Sequence, residues 1–309
     1  MRRASAGALL AAAALAAGCG ATGAGDPAPA RTTALLQVAN GPVAAGPGPR
    51  PLAVDLAHAG TAIDPRFTHP PRSGLLFDLD TGRVLWQRNA ERVLPVASLT
   101  KMMTALLVVA GASPRDRVYI PKGRFYEGSA VGVLPGGRRV PLRTLLYGLL
   151  LPSGNDAARA LARHVGGSVR GFVDLMNRRA AEMGLRCTHY TSPDGLQDAG
   201  NHSCAVDLAA EARAVLDQRL LARVVASRSA VEPLPIKGGR VWLYNNNPLL
   251  RLGYPGTIGV KTGYTDAAGH CLVAAARRHG RRLGVVLLHS PDTGRQATKL
   301  LNAGFRVHS

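Results

Sequence analysis

Lysine is scarce in this sequence. The 38 Lys+Arg include only Lys101, Lys122, Lys237, Lys261 and Lys299, so 38 − 5 leaves 33 Arg. Acidic residues are also few, 19 in all, and the formal charge is +19. The Arg are scattered, with short pairs such as Arg138-Arg139, Arg178-Arg179 and Arg277-Arg278. No long basic tract or nucleic-acid motif accompanies them, so nucleic acid is not expected as a partner. The balance reads as a solvated positive surface. Beyond the N-terminus there is no second apolar run of ~18 residues, which argues against a polytopic membrane protein. Four Cys in 309 residues are too few for a disulfide-dense miniprotein. No repeat of solenoid period is present. No Gly-x-Ser-x-Gly elbow occurs, and His58, His69, His164 and His279 show no triad or ligand spacing, so Ser-His-Asp chemistry is unsupported. What is present is a hydrophobic content of 46%, enough to bury a real core.

The N-terminus carries an export pattern. Arg2 and Arg3 precede an apolar run from about Ala8 to Ala17, too short to span a bilayer. It ends in Leu15-Ala16-Ala17-Gly18-Cys19, which resembles a bacterial lipobox with Ala16 where Leu is usual. Residues 1–19 are therefore read as a signal peptide with Cys19 as a lipid attachment point, and ordinary cleavage nearby stays open. Residues 20–71 are rich in Gly, Ala and Pro and read as a tether. The folded part is expected over 72–309.

Within it, Gly74–Asp80 and Arg83–Trp86 flank the turn Asp80-Thr81-Gly82 and read as a β-hairpin. A long helical region follows, from about Ser98 to Leu220. Strands return at Gly256–Gly263, Cys271–Arg277 and Arg282–His289, and Thr293–Phe305 reads as an amphipathic helix. Strands at both ends with helices between them give an α/β class: a mainly antiparallel sheet flanked by helices, with an inserted all-α subdomain.

Three motifs carry chemistry. Ser98-Leu99-Thr100-Lys101 opens an apolar helix, and i, i+3 spacing puts Ser98 and Lys101 on one face. The helix N-terminus and burial both lower the lysine pKa, so Lys101 can take a proton from Ser98. Ser153-Gly154-Asn155 sits on a turn between two helical stretches and alone reads as ordinary turn residues. Lys261-Thr262-Gly263 ends a strand whose alternation points Lys261 away from Ile258 and Val260. Gly263 there admits a second backbone, such as an extended substrate pairing at the edge. Each motif alone is weak. Their order, with separations of 153 − 98 = 55 and 261 − 153 = 108 residues, is not.

Together with Pro193-Asp194-Gly195-Leu196 and Tyr264-Thr265-Asp266-Ala267-Ala268-Gly269, this set resembles the low-molecular-mass penicillin-binding proteins that act as serine-type D-alanyl-D-alanine carboxypeptidases. The resemblance covers about Arg72 to Phe305. It implies the penicillin-recognising serine transferase fold, and a substrate that is a peptidoglycan stem peptide ending in D-Ala-D-Ala. It further implies β-lactams as inhibitors, no cofactor or metal, and action outside the cytoplasmic membrane. Ser98 would be the nucleophile and Lys101 its base. Ser153 would relay a proton, and Asn155 would orient Lys101 and the substrate. Lys261, Thr262, Gly263, Tyr264 and Thr265 would line the substrate strand. The backbone N–H groups of Ser98 and Tyr264 would form the oxyanion hole. Arg295 is the nearest candidate for a carboxylate-binding Arg. No C-terminal β domain is expected after the last helix.

Cys187-Thr188-His189 and His202-Ser203-Cys204 form a near-mirror pair, open to zinc or, preferably, to a disulfide in an exported protein. Cys271 reads as a core thiol. A class A β-lactamase needs a Glu to activate the deacylating water, and none of Glu182, Glu211 or Glu232 stands in a Glu-x-x-Leu-Asn context. D,D-endopeptidase action and a non-catalytic wall-binding lipoprotein stay as alternatives.

Overall fold

The computed structural model describes residues 54, 56, 63–123, 131, 134–196 and 199–307. The signal segment, Cys19 and His58 lie outside the described residues. In chain order the elements are β1 (Ser73–Asp78), β2 (Val84–Arg88), β3 (Leu94–Pro95), a 3₁₀ turn (Ala97–Thr100), α1 (Lys101–Gly111), β4 (Arg117–Tyr119), β5 (Arg139–Pro141), α2 (Leu142–Leu150), α3 (Asn155–Gly166) and α4 (Val169–Glu182). Then come β6 (His202–Ser203), α5 (Ala205–Asp217), α6 (Arg219–Ala226), β7 (Ser229–Pro233), β8 (Arg240–Tyr244), α7 (Pro248–Arg251), β9 (Thr257–Thr265), β10 (Gly269–Arg278), β11 (Arg281–Leu288) and α8 (Thr293–Arg306).

The main sheet runs β2-β1-β11-β10-β9, with every neighbouring pair antiparallel. Its strands are apolar because both faces are covered, and the period of two assigns each residue to a face. Val286 and Leu288 of β11, Val273 and Ala275 of β10, and Leu75 and Phe77 of β1 join the core shared with α1 to α5. Leu283, Val285, Leu287, Leu272, Ala274 and Leu76 join a second core with Ala297, Leu300 and Leu301 of α8. The expected hairpin is present: Asp78 Oδ1 accepts from the N–H groups of Asp80 and Thr81 at 2.9 Å, and Gly82 takes φ +82°.

Three two-stranded pairs, β3–β6, β4–β5 and β7–β8, complete the fold. Of these strands, β4, β5 and β6 lie within the stretch expected to be helical. The boundary at residue 72 also moves. Ile63 and Phe67 pack on the α8 core, the Phe67 and Trp86 rings meet edge to face at 6.0 Å, and Gln296 Nε2 donates to the His69 carbonyl at 2.7 Å. Composition alone assigned these residues to the tether.

The mirror pair of cysteines and histidines is cross-strand pairing. His189 and His202 exchange backbone hydrogen bonds, the Thr188 and Ser203 hydroxyls meet at 2.8 Å, and Cys187 is disulfide-bonded to Cys204 with Cα atoms 5.5 Å apart. With the sulfurs bonded to each other neither is a thiolate, so the zinc reading is set aside. Asp207 braces the loop, its Oδ2 accepting from the Cys187 N–H and the Thr188 hydroxyl at 2.7 Å each. Behind it Glu211 is fully buried. Its Oε1 accepts from the Tyr190 hydroxyl at 2.6 Å, and its Oε2 has no hydrogen-bond partner among the described residues.

Two stability measurements follow from this region. The disulfide closes a loop of sequence separation 17. Replacing both cysteines by Ser is expected to cost about 3 kcal/mol in denaturant unfolding. Burial pushes the Glu211 carboxyl up to about 8 from 4.5. The folded state therefore holds this proton where the unfolded chain has released it, so stability falls as pH rises between those values. Glu211→Gln is expected to flatten that slope in chemical denaturation measured from pH 5 to 8, and an unchanged slope would refute the assignment.

Candidate active site

The 3₁₀ turn, and not the first turn of α1, carries Ser98. A 3₁₀ turn has three residues per turn, so residues three apart eclipse. That is why Lys101 Nζ reaches Ser98 Oγ at 2.8 Å. Ala97, just before the serine, has φ +49°, a conformation that costs about 1–2 kcal/mol in a non-glycine residue. The turn is held by the Thr100 hydroxyl, which donates to the Ala97 carbonyl at 2.8 Å and accepts from Asn201 Nδ2 at 2.7 Å.

Lys101 is fully buried. Besides Ser98, its Nζ donates to Asn155 Oδ1 and to the Asp194 carbonyl, each at 2.7 Å. Burial is the main cause that lowers its pKa to about 7, with the nearby Arg159 assisting and the Asp194 and Asp156 carboxylates opposing. In the neutral amine two N–H bonds and one lone pair remain. Asn155 Oδ1 and the Asp194 carbonyl can only accept, so they take both N–H bonds. The lone pair then faces Ser98 Oγ, the one partner that has a proton to give. The arrangement can deprotonate the serine as it attacks.

Asn155 opens α3, and Ser153 lies just before it with φ +71°. The Ser153 hydroxyl is buried and has no hydrogen-bond partner among the described residues. The loop at 191–196 presents the Asp194 carbonyl. It is fixed by an Arg159 Nε–Asp194 Oδ2 ion pair at 2.6 Å and by the Thr104 hydroxyl on the Pro193 carbonyl at 2.7 Å.

On the other side stands β9. A Cβ on Gly263 would lie 2.9 Å from the Val96 carbonyl oxygen and 3.0 Å from the Ser98 nitrogen, so only glycine lets this strand approach the serine turn. Lys261 is buried, with Nζ donating to the Thr262 carbonyl at 2.9 Å. Burial first, and then the Lys101 charge, hold its ammonium well below the usual range. A cavity of about 330 Å³ opens between the elements, lined by Ser98, Ser153, Asn246, Thr262, Gly263 and Tyr264 among others.

Comparison with known proteins agrees with this geometry. The family profile described as D-alanyl-D-alanine carboxypeptidase (Peptidase_S11) matches residues 60–292. The chain belongs to this family. It is 38% identical over 248 residues to the D-alanyl-D-alanine carboxypeptidase DacB2 of Mycobacterium tuberculosis, covering 77% of this chain and 84% of that one. It is also 33% identical over 248 residues to DacF of Bacillus subtilis, spanning 77% of this chain and 63% of the relative's length. A solved structure titled as the D-alanyl-D-alanine carboxypeptidase of Mycobacterium tuberculosis superposes with TM-score 0.73 at 36% identity, covering 79% of this chain and 94% of that one. The expected fold, a penicillin-binding-protein architecture of antiparallel sheet and flanking helices, is thus the observed one.

The carboxypeptidase motifs converge, but two sequence candidates stand apart. Thr265 does not line the cavity; its hydroxyl accepts from the Ala268 N–H in the β9–β10 turn at 3.1 Å. Arg295 lies in the wall of an adjoining cavity, with Nε 3.5 Å from Asp292 Oδ2. Tyr264 is exposed, its ring 4.6 Å from that of His270. Cys271, expected to be an inert core thiol, is buried but also touches the cavity wall. The sequence reading missed the Asp194 carbonyl, Arg159, Asn201, Asn246 and Thr293. Backbone carbonyls carry no residue-type signal; Asp194 was visible only as part of the Pro193-Asp194-Gly195 stretch.

Gly263→Ala puts a methyl against Ser98. It is expected to slow acylation of Ser98 by benzylpenicillin about tenfold or more, with a stability loss of about 1–3 kcal/mol. Stopped-flow acylation and denaturant unfolding check both, and wild-type acylation would refute the close approach.

Proposed function

We propose that the protein is a serine D,D-carboxypeptidase acting on peptides that end in D-Ala-D-Ala. The observation that carries this reading is the saturated Lys101 site, with two acceptors fixing the amine and Ser98 at 2.8 Å. Ser98 Oγ attacks the carbonyl carbon of the penultimate D-Ala while its proton passes to Lys101. The developing oxyanion is held by the backbone N–H groups of Ser98 and Tyr264. The proton taken up by Lys101 passes by way of the Ser153 hydroxyl to the leaving amine as the C–N bond breaks, with Lys261 nearby. Asn155 holds Lys101 and the substrate amide. Lys261 and Thr262 bind the terminal carboxylate, Arg295 stands at its edge, and Gly263 lets the peptide lie along β9. Water then cleaves the ester, returning the proton to Ser98.

Slow release of a β-lactam acyl group is supported by what surrounds the cavity. Among the described residues lining it there is no carboxylate. Glu211 is buried against Tyr190, Glu232 pairs with Arg143 at 3.3 Å, and Glu182 pairs with Arg179 at 3.0 Å. Among the described residues no β-lactamase-type base is on hand for the deacylating water.

The same reading places the enzyme outside the cytoplasmic membrane, exported by residues 1–19, tethered by 20–71 and anchored by a lipid on Cys19. The Arg2-Arg3 start, the short apolar run and the Cys19 pattern support it. Among the described residues no helix is long and apolar enough to cross a membrane.

Intact-mass spectrometry of the protein with excess benzylpenicillin is the test. A long-lived adduct that disappears in Ser98→Ala is expected, together with D-Ala release from an N-acylated Lys-D-Ala-D-Ala peptide. Penicillin hydrolysed without an adduct would make it a β-lactamase. No adduct with intact penicillin would favour a binding protein.

A further inference from the structure

A second cavity of about 570 Å³ adjoins the one at Ser98, and the two share Pro248, His270 and Thr293 in their walls. The second is reached past Thr293, on the Arg295 side of the site, and Ser98 and Ser153 do not line it. On the reading above, Lys261 and Thr262 hold the terminal carboxylate with Arg295 at its edge. This space therefore lies beyond the leaving D-Ala. A D-Ala leaving group does not need it.

Its walls have a definite chemistry. Pro248, Arg251 and Leu252 fall at i, i+3 and i+4 of α7 and its C-terminal end, so they share one face. Leu252 is 67% exposed and, with Pro248, offers an apolar wall. Arg251 is exposed, and among the described residues its guanidinium has no ion-pair or hydrogen-bond partner. Opposite stand Thr293 and Gly294 at the start of α8. Asp292, also in the wall, is occupied: its Oδ1 accepts from the Arg295 N–H at 3.0 Å and its Oδ2 faces Arg295 Nε at 3.5 Å. One uncommitted cation beside an apolar strip fits an aliphatic chain that ends in an acid.

We propose that this cavity is a leaving-group subsite for residues larger than D-Ala, in which an aliphatic stem lies on Pro248 and Leu252 and a distal carboxylate binds Arg251. This proposal rests on the Ser98 acylation reading. Such leaving groups arise where one wall peptide is crosslinked to another through a diamino acid: the amine sits beside a carboxylate and carries an aliphatic stem leading to further acidic groups. The bond broken is again the amide after the penultimate D-Ala. Its carbonyl carbon goes to Ser98 Oγ and its nitrogen leaves with the relayed proton, so no other reactant is required.

The test uses three peptides with one acyl half, N-acylated Lys-D-Ala, and different leaving residues: D-Ala, D-α-aminopimelate, or the ω-amide of D-α-aminopimelate. Wild type is expected to favour the acid over its amide by about tenfold in kcat/KM, expressed in KM. Arg251→Gln is expected to erase this preference and Arg251→Glu to reverse it, with D-Ala release and penicillin acylation unchanged. The absence of a preference in wild type, its survival in Arg251→Gln, or equal slowing of all three peptides would overturn the subsite. Failure of the D-Ala peptide and of penicillin acylation in wild type would overturn the Ser98 reading, and the subsite with it.

Discussion

A lysine amine sealed away from water is the constraint on which the rest of the site depends. Burying an ammonium is costly, and the cost falls when the proton is given up. Lys101 is buried by the 3₁₀ turn that leads into α1, the start of α3 and the loop at 191–196, which come from three separate parts of the chain. Each supplies one acceptor or the serine. The Arg159–Asp194 ion pair, the Thr104 bond to Pro193 and the Asn201 bond to Thr100 hold those parts in place. These three residues act by fixing where the amine's lone pair points.

The sheet supplies the opposite wall and its rigidity. β10 and β11 are packed on both faces, β9 is held to β10 by its antiparallel register, and Gly263 removes the side chain that would keep it from the serine turn. Lys261 brings a second buried amine close enough for its pKa to feel the charge on Lys101. Two such neighbours disfavour carrying protons together, which suits a site that moves one proton from serine to leaving amine. The positive φ values at Ala97 and Ser153 lie beside and at the two hydroxyl-bearing positions, where the packed surroundings over-determine the backbone.

Much of this is legible in the chain. The three long C-terminal strands and α8 fall within a few residues of their expected limits, because runs buried on both faces leave an unmistakable apolar signal. Ser98, Lys101, Ser153, Asn155, Lys261 and Gly263 are readable as residue types in a fixed order. The 3₁₀ turn is not, since three- and four-residue helical spacing look alike over four positions. The short strands β3 to β6 are hidden for lack of length. The packing of Ile63 and Phe67 is hidden by the Gly, Ala and Pro around them. The mirrored Cys-Thr-His and His-Ser-Cys are cross-strand partners, a pattern that metal-ligand spacing imitates. Arg251 carries no motif and gains meaning only from the cavity beside it.

The claim that Lys101 is the neutral base can be measured without turnover. The protein is produced with 15N at the lysine side chains, and the Nζ resonance of Lys101 is assigned with Lys101→Arg and distinguished from Lys261 with Lys261→Arg. The account expects this resonance to titrate at about 7, far below the ordinary 10.5. A Lys101 that remains an ammonium up to about pH 10, the ordinary range for an exposed lysine, would contradict it.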